Sequence, residues 1–174
     1  MLELAILGFL AESSLPGHEL RRRVSHLTGY TRPVSDGSLY PAINRLAKAG
    51  LLERRADPRA GAARYVLSLT EAGRADMLER LRKPAEHEIT DHTRFYTVLS
   101  FLSLLPDLAE QHAVLRRRLA FLEEPASFFY DGERPMRAEE VTDPYRRSML
   151  LAARATSRAE RTWLREVLGE QPPA

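Results

Sequence analysis

Residues 35–50 read SDGSLYPAINRLAKAG, and their pattern decides the fold. Leu39, Ile43 and Leu46 fall at i, i+4 and i+7, so one side of a helix packs, while Ser38, Asn44, Arg45 and Lys48 project elsewhere. One face buries and the other offers hydrogen-bond donors. Pro41 would cost ~3 kcal/mol in a helix interior. Two readings ease this: Ser38 as N-cap puts Pro41 in the first turn, where its missing N–H does no harm, or Gly37 at i−4 softens the crowding. Gly50 then ends the helix.

Working toward the N-terminus, the run MLELAILGFLAE is a dense apolar helix, too crowded for an alternating strand. Ser13 to Gly17 break it, and a second helix runs from Gly17 to about Thr28 with Leu20, Val24 and Leu27 on one side and His18, Arg21, Arg22 and Ser25 on the other. Gly29 stops this helix and Pro33 lies in an extended connector. Toward the C-terminus, 51–55 is a short strand, 56–63 (ADPRAGAA) a turn, and 64–69 a second strand with Tyr65, Leu67 and Leu69 on one face. Three helices followed by a hairpin is the order of a winged helix-turn-helix. The hairpin is the wing, with Arg59 at its tip and Arg55 and Arg64 at its base.

From Thr70, a predicted helix cap, the chain reads as helical to its end. Breaks fall at Pro84, Pro106 and a long connector within EEPASFFYDGERPMRAEEVTDP, and Asp107 and Asp143-Pro144 open new helices. In the last helix Tyr145, Met149, Ala152, Thr156, Ala159 and Trp163 are spaced four, three, four, three and four, the repeat of a helix that pairs along its length. These six are the expected dimerisation seam. The alternative is that the stripe packs inside its own subunit. The fold class expected is mainly α: a winged helix-turn-helix over 1–73, then an all-helical dimerisation and effector-binding domain over 74–174.

Composition narrows the function. The 174 residues contain no cysteine, which excludes disulfides, thiolate nucleophiles and cysteine-held metals. Residues 1–74 carry 11 basic and 7 acidic side chains (+4), and the remainder 15 and 17 (−2), so the first part is the better polyanion surface. The longest apolar uncharged run, 95–106, is far short of the ~20 residues that span a bilayer. Glu3 stands where a signal peptide is basic, and no A-x-A-like site follows. A soluble, cytoplasmic protein is expected. HEITDH (87–92) has one residue more than H-E-x-x-H, so its histidines diverge on a helix, and no phosphate loop, nucleophile elbow or dinucleotide fingerprint occurs. Neither an enzyme nor a cofactor or metal site is expected.

Three blocks, ILGFLAESSLPGHELRRRV, PVSDGSLYPAINRLAKAGLLERR and RYVLSLTEAGRA, resemble in order and spacing the DNA-binding domain of the PadR family of bacterial transcriptional regulators. The helical remainder is similar to that of the longer branch of the family. Two departures stand out: His18 occupies a position commonly tyrosine, and Ala62 and Ala63 replace more polar wing residues. The resemblance implies a dimeric, ligand-responsive repressor of a palindromic operator.

In a helix-turn-helix the N-terminal part of the recognition helix faces base edges. Ser35, Gly37, Ser38, Tyr40 and Asn44 are therefore expected nearest double-stranded DNA, with asparagine suited to adenine and Arg45 to guanine or phosphate. Ser35 and Ser38 also read as simple helix caps, and Tyr40 as a core residue. His18, Arg21, Arg22, Lys48, Arg59 and Arg64 complete the expected DNA surface, the cations holding phosphates. For a small-molecule effector of unknown identity, the aromatic candidates are Phe95, Tyr96, Phe121, Phe128, Phe129 and Tyr130, with Trp163 of the seam. Core packing is the competing reading for each. A winged-helix module that contacts proteins is the alternative to DNA binding.

Overall fold

The computed structural model describes residues 1–27, 34–56 and 65–170. The chain divides into two compact units, Met1–Gln111 and His112–Ala174. Gly29, Pro33, Arg59, Ala62, Ala63 and Arg64, assigned above to a helix stop, a connector and the wing, lie outside the described residues.

Helix α1 (Leu2–Glu12) is the centre of the first unit. Leu4, Ala5, Ile6, Leu7, Gly8 and Leu10 are all buried, which accounts for its lack of a polar face. Around it lie α2 (Gly17–Leu27), which buries Leu20 and Val24, and α3 (Asp36–Lys48), which buries Leu39, Ala42, Ile43 and Leu46. The wing pairs β1 (Leu52–Ala56) with β2 (Tyr65–Leu69) antiparallel, Leu52 opposite Leu69 and Arg54 opposite Leu67. Leu15 adds a third, one-residue edge through reciprocal hydrogen bonds with Leu67 of 3.0 and 2.8 Å. The Ser14 and Ser68 hydroxyls meet beside it at 2.7 Å. Tyr65 shares the face of Leu67 but is 51% exposed, because the core ends before it.

Ser35, not Ser38, occupies the N-cap position of α3, so Pro41 lies inside the helix. The carbonyl that Pro41 leaves without an N–H donor is that of Gly37, where an added side chain would meet only the Ser35 hydroxyl, at 3.8 Å. Gly50, at φ 72°, follows the helix end in the left-handed region that glycine tolerates.

The compact unit does not stop at residue 73. Helices α4 (Glu71–Arg82), α5 (Glu86–Thr90) and α6 (His92–Phe101), then a 3₁₀ turn (Leu102–Leu104), extend the core with Met77, Leu81, Ile89, Phe95, Val98 and Phe101. Thr70 caps α4 by accepting from the Gly73 N–H at 3.0 Å and donates to the Gly50 carbonyl at 2.7 Å, fixing α4 to the end of α3. Phe101 comes so close to α1 that a Cβ on Gly8 would stand 2.5 Å from its ring, and the Phe9 ring meets it edge-on at 5.1 Å. Close packing of α4 and α6 on α1 is why they belong to the winged-helix unit.

Helix α7 (Leu108–Glu123) contains the division between the units, and the second unit continues with α8 (Pro144–Leu168). Asp143 accepts from the Arg146 N–H at 2.8 Å and Pro144 opens the helix, as the sequence predicts. Arg118 of α7 and Glu160 of α8 form a bidentate ion pair of 2.8 and 2.9 Å whose side chains are only 2% and 7% exposed. The connector between them is not irregular throughout, nor is this unit helical throughout. Strands β3 (Tyr130–Asp131) and β4 (Arg134–Pro135) make a minimal hairpin that turns on Gly132, and Ala138, Val141 and Leu150 form a small core beneath Phe129 and Met136.

Candidate nucleic-acid interface

With Leu39, Ala42, Ile43 and Leu46 turned inward, the opposite side of α3 is a stripe of exposed residues at spacings of four, three and four: Gly37, Pro41, Asn44 and Lys48. Pro41 belongs to this stripe and was not among the expected contacts. Without an N–H it offers only ring and backbone there. Lys48 has no ionic partner among the described residues. Tyr40 lies on one flank with its ring against Gly17, at 43% exposure, so it is neither a core residue nor on the stripe.

Arg45 lies on the other flank and points toward α1. Its Nε and Nη2 donate to Glu3 Oε1 at 3.2 and 3.1 Å, and Arg80 reaches the other oxygen of Glu3 at 3.4 Å. Arg45 therefore anchors α3 in this structure. Arg21 donates to both oxygens of Asp36 at 3.0 and 3.2 Å, which ties α2 to the first turn of α3 and neutralises the carboxylate there. Arg22 pairs with Glu19 at 2.9 Å, and Arg23 with the same oxygen at 3.1 Å. Those two hydrogen bonds hold the Glu19 carboxyl below the usual carboxylate range, so the pairs persist into mildly acidic solution. Ser35 and Ser38 share a hydroxyl contact of 3.0 Å, and neither side chain caps α3 with a hydrogen bond. His18 is exposed on α2.

Arg54 is a second residue of this surface that is not among the expected contacts. It follows Leu52 by two positions on β1, so it shares the face turned toward the helices. Its Nη2 donates to Asn44 Oδ1 at 3.2 Å, and its guanidinium lies 5.1 Å from the centre of the Tyr65 ring. The available signal was the two-residue period, which selects Arg54 over Arg55. Arg55, on the other face, is paired with Glu53.

On α8 the six seam residues lie on one face and are all exposed, Tyr145 at 84%, Met149 at 43% and Trp163 at 38%, while Leu150, Leu164 and Leu168 are buried. Packing inside its own unit does not cover the stripe. The six aromatic effector candidates divide between the two units. Phe95 is buried in the first unit, and Tyr96 is exposed, its ring tilted against that of His92 with the centroids 4.1 Å apart. Phe121 and Phe128 line a cleft of about 510 Å³ in the second unit together with Ser157, Arg154 and Arg161. Phe129 and Tyr130 line a different one. The Nε of Arg161 is buried with no hydrogen-bond partner.

His87 and His92 lie on separate helices, α5 and α6. Among the described residues no cluster of three or more His, Asp or Glu side chains could hold a metal ion, and no helix is long and apolar enough to cross a membrane.

Three helices, a wing and an exposed stripe on the third helix define a winged helix-turn-helix protein. Residues 6–80 match the transcriptional regulator PadR-like family. No curated protein is significantly similar to the chain. Among solved structures, smu.1604c from Streptococcus mutans UA159 is 17% identical over 97% of this chain and 98% of its own, with a TM-score of 0.42. Bacillus subtilis PadR, solved in complex with operator DNA, is 19% identical over 97% of each chain, also with a TM-score of 0.42. Similarities of this size set no residue-by-residue correspondence.

Proposed function

We propose that the protein is a sequence-specific DNA-binding transcriptional regulator that works as a homodimer and represses until a small molecule binds. The observation that carries this reading is the exposed stripe of α3, Gly37, Pro41, Asn44 and Lys48, backed by Arg54 of the wing inside the PadR-like segment. A major groove admits one helix, and glycine at the entering end allows close approach to it. Lys48 and the Arg21–Asp36 pair, once opened, supply phosphate contacts.

Dimerisation is supported by the uncovered seam of α8, whose 3.5-residue repeat suits a second copy of the same helix. Two α3 helices related by a twofold axis read a palindrome with half-sites ~34–36 Å apart. The effector is a small molecule held in the cleft between Phe121 and Phe128, which is of ligand size and combines apolar walls with Arg154, Ser157 and Arg161. A hundredfold loss of DNA affinity requires it to favour the released state by roughly 2.7 kcal/mol.

Fluorescence anisotropy against the gene's own upstream DNA and a scrambled duplex of equal length, over a salt series, tests the reading. The expected result is a preference of ~10³-fold or more at physiological salt. Equal, weak binding to both duplexes and to genome-wide fragments would replace it with a protein-interaction module. The internal pairing of Arg21, Arg22 and Arg45 favours that second reading, since it leaves fewer free cations.

A further inference from the structure

The orientation of the Asn44 carboxamide follows from its partner. A guanidinium nitrogen only donates, so the group that faces Arg54 at 3.2 Å is the oxygen, Oδ1, and the amide nitrogen Nδ2 is the end left free. Arg54 is itself held from behind by the Tyr65 ring and by its place opposite Leu67 in the strand pair. Asn44 lies on the exposed stripe of α3, and Arg54 stands beside it on the inner face of the wing.

The usual asparagine contact with adenine needs both ends of the carboxamide: Oδ1 accepts from N6–H while Nδ2 donates to N7. Here Oδ1 already accepts from a cation, and an approaching N6–H meets the guanidinium's own hydrogens. What remains outward is Nδ2–H and the unused N–H groups of Arg54, all donors. We propose that Asn44 and Arg54 form one donor-only reading unit, selective for a guanine edge, whose O6 and N7 both accept, and against adenine. This rests on the DNA-binding reading above and reverses the preference for adenine expected of asparagine alone. Tyr65 is the positioning residue in it, and Asn44 and Arg54 supply the donors that touch the base.

Selection of binding sites from randomised duplexes, run in parallel with the full-length protein and with Asn44→Ala, Arg54→Met and Arg54→Lys, tests the unit. Arg54 and Asn44 are exposed, and thermal melting verifies that each variant folds. The wild-type site is expected to contain a guanine whose selection disappears in Asn44→Ala. Arg54→Met, which releases Oδ1, is expected to admit adenine at that position with a gain of roughly tenfold over wild type, the scale of one bidentate contact. Arg54→Lys keeps a charge without the stacked planar group and is expected to give an intermediate preference. Adenine at the Asn44-dependent position in wild type, no position that depends on Asn44, or an unchanged preference in Arg54→Met would each overturn the unit while leaving the DNA-binding reading intact. Failure of the wild-type protein to enrich any sequence would overturn both.

Discussion

Asp36 stands at the first turn of α3, where its carboxylate favours the helix dipole and repels a DNA phosphate, and Arg21 neutralises it through two hydrogen bonds. Asp36→Asn removes that repulsion and frees Arg21. We expect severalfold tighter, less selective DNA binding with a salt slope steeper by about 1, at a stability cost below about 1 kcal/mol because both side chains are exposed. A salt titration and a urea melt measure the two effects. Lys48→Ala acts oppositely, with uniformly weaker binding and a slope reduced by about 1. Arg45→Ala behaves differently again: it releases α3 from Glu3 of α1, so it is expected to lower the unfolding midpoint and leave the slope nearly unchanged. Sequence placed Arg45 and Lys48 together as cations of one helix. Only the structure separates them, since the position of Glu3 depends on how α1 packs.

Among the elements, α1 and α6 approach through Gly8, and α3 carries a proline in its interior. Gly8→Ala gains helix propensity but drives a methyl into the Phe101 ring, and a net loss of about 1–3 kcal/mol is expected from overpacking. Phe101→Leu in the same chain should recover part of it, which a urea denaturation series with the single and double variants measures. Pro41→Ala restores an N–H that can reach the Gly37 carbonyl, and a rise in the melting temperature of several degrees is expected, at ~2–4 °C per kcal/mol for a chain of this size. The periods of α3 and β2, the cap at Thr70 and the Asp143-Pro144 start of α8 were legible because they depend on neighbours in sequence. The end of the first compact unit was not. Nothing local to residues 71–101 shows that Met77, Leu81 and Phe101 join the core of residues 1–69.

For the whole molecule, the second unit combines a buried ion pair with an uncovered helix face. Glu160→Gln removes the carboxylate that faces the buried Arg118 guanidinium and is expected to destabilise by up to about 3–5 kcal/mol, whereas a volume-matched apolar replacement of both partners recovers much of that. Chemical denaturation of the two variants at one protein concentration checks this. Ala152→Asp together with Ala159→Asp places charges on the seam of α8 while touching none of its buried leucines. Sedimentation equilibrium is expected to report a monomer for this variant and a dimer for wild type. Anisotropy should then show the loss of cooperative operator binding, since one half-site supplies too few contacts.

The chain's local patterns alone determined the winged-helix order, the buried face of α3, the caps at Thr70 and Asp143 and the 3.5-residue repeat of α8. Hydrophobic periodicity and capping are short-range properties that any contiguous stretch displays. Tertiary structure decided which polar side chains remain available. It set Arg45 on Glu3, Arg21 on Asp36 and Arg54 on Asn44, pairs separated by 42, 15 and 10 residues. It also divided the aromatics between the two compact units. An ion pair or hydrogen bond of a few ångströms depends on how distant elements pack, and no residue type or spacing within one element encodes that distance.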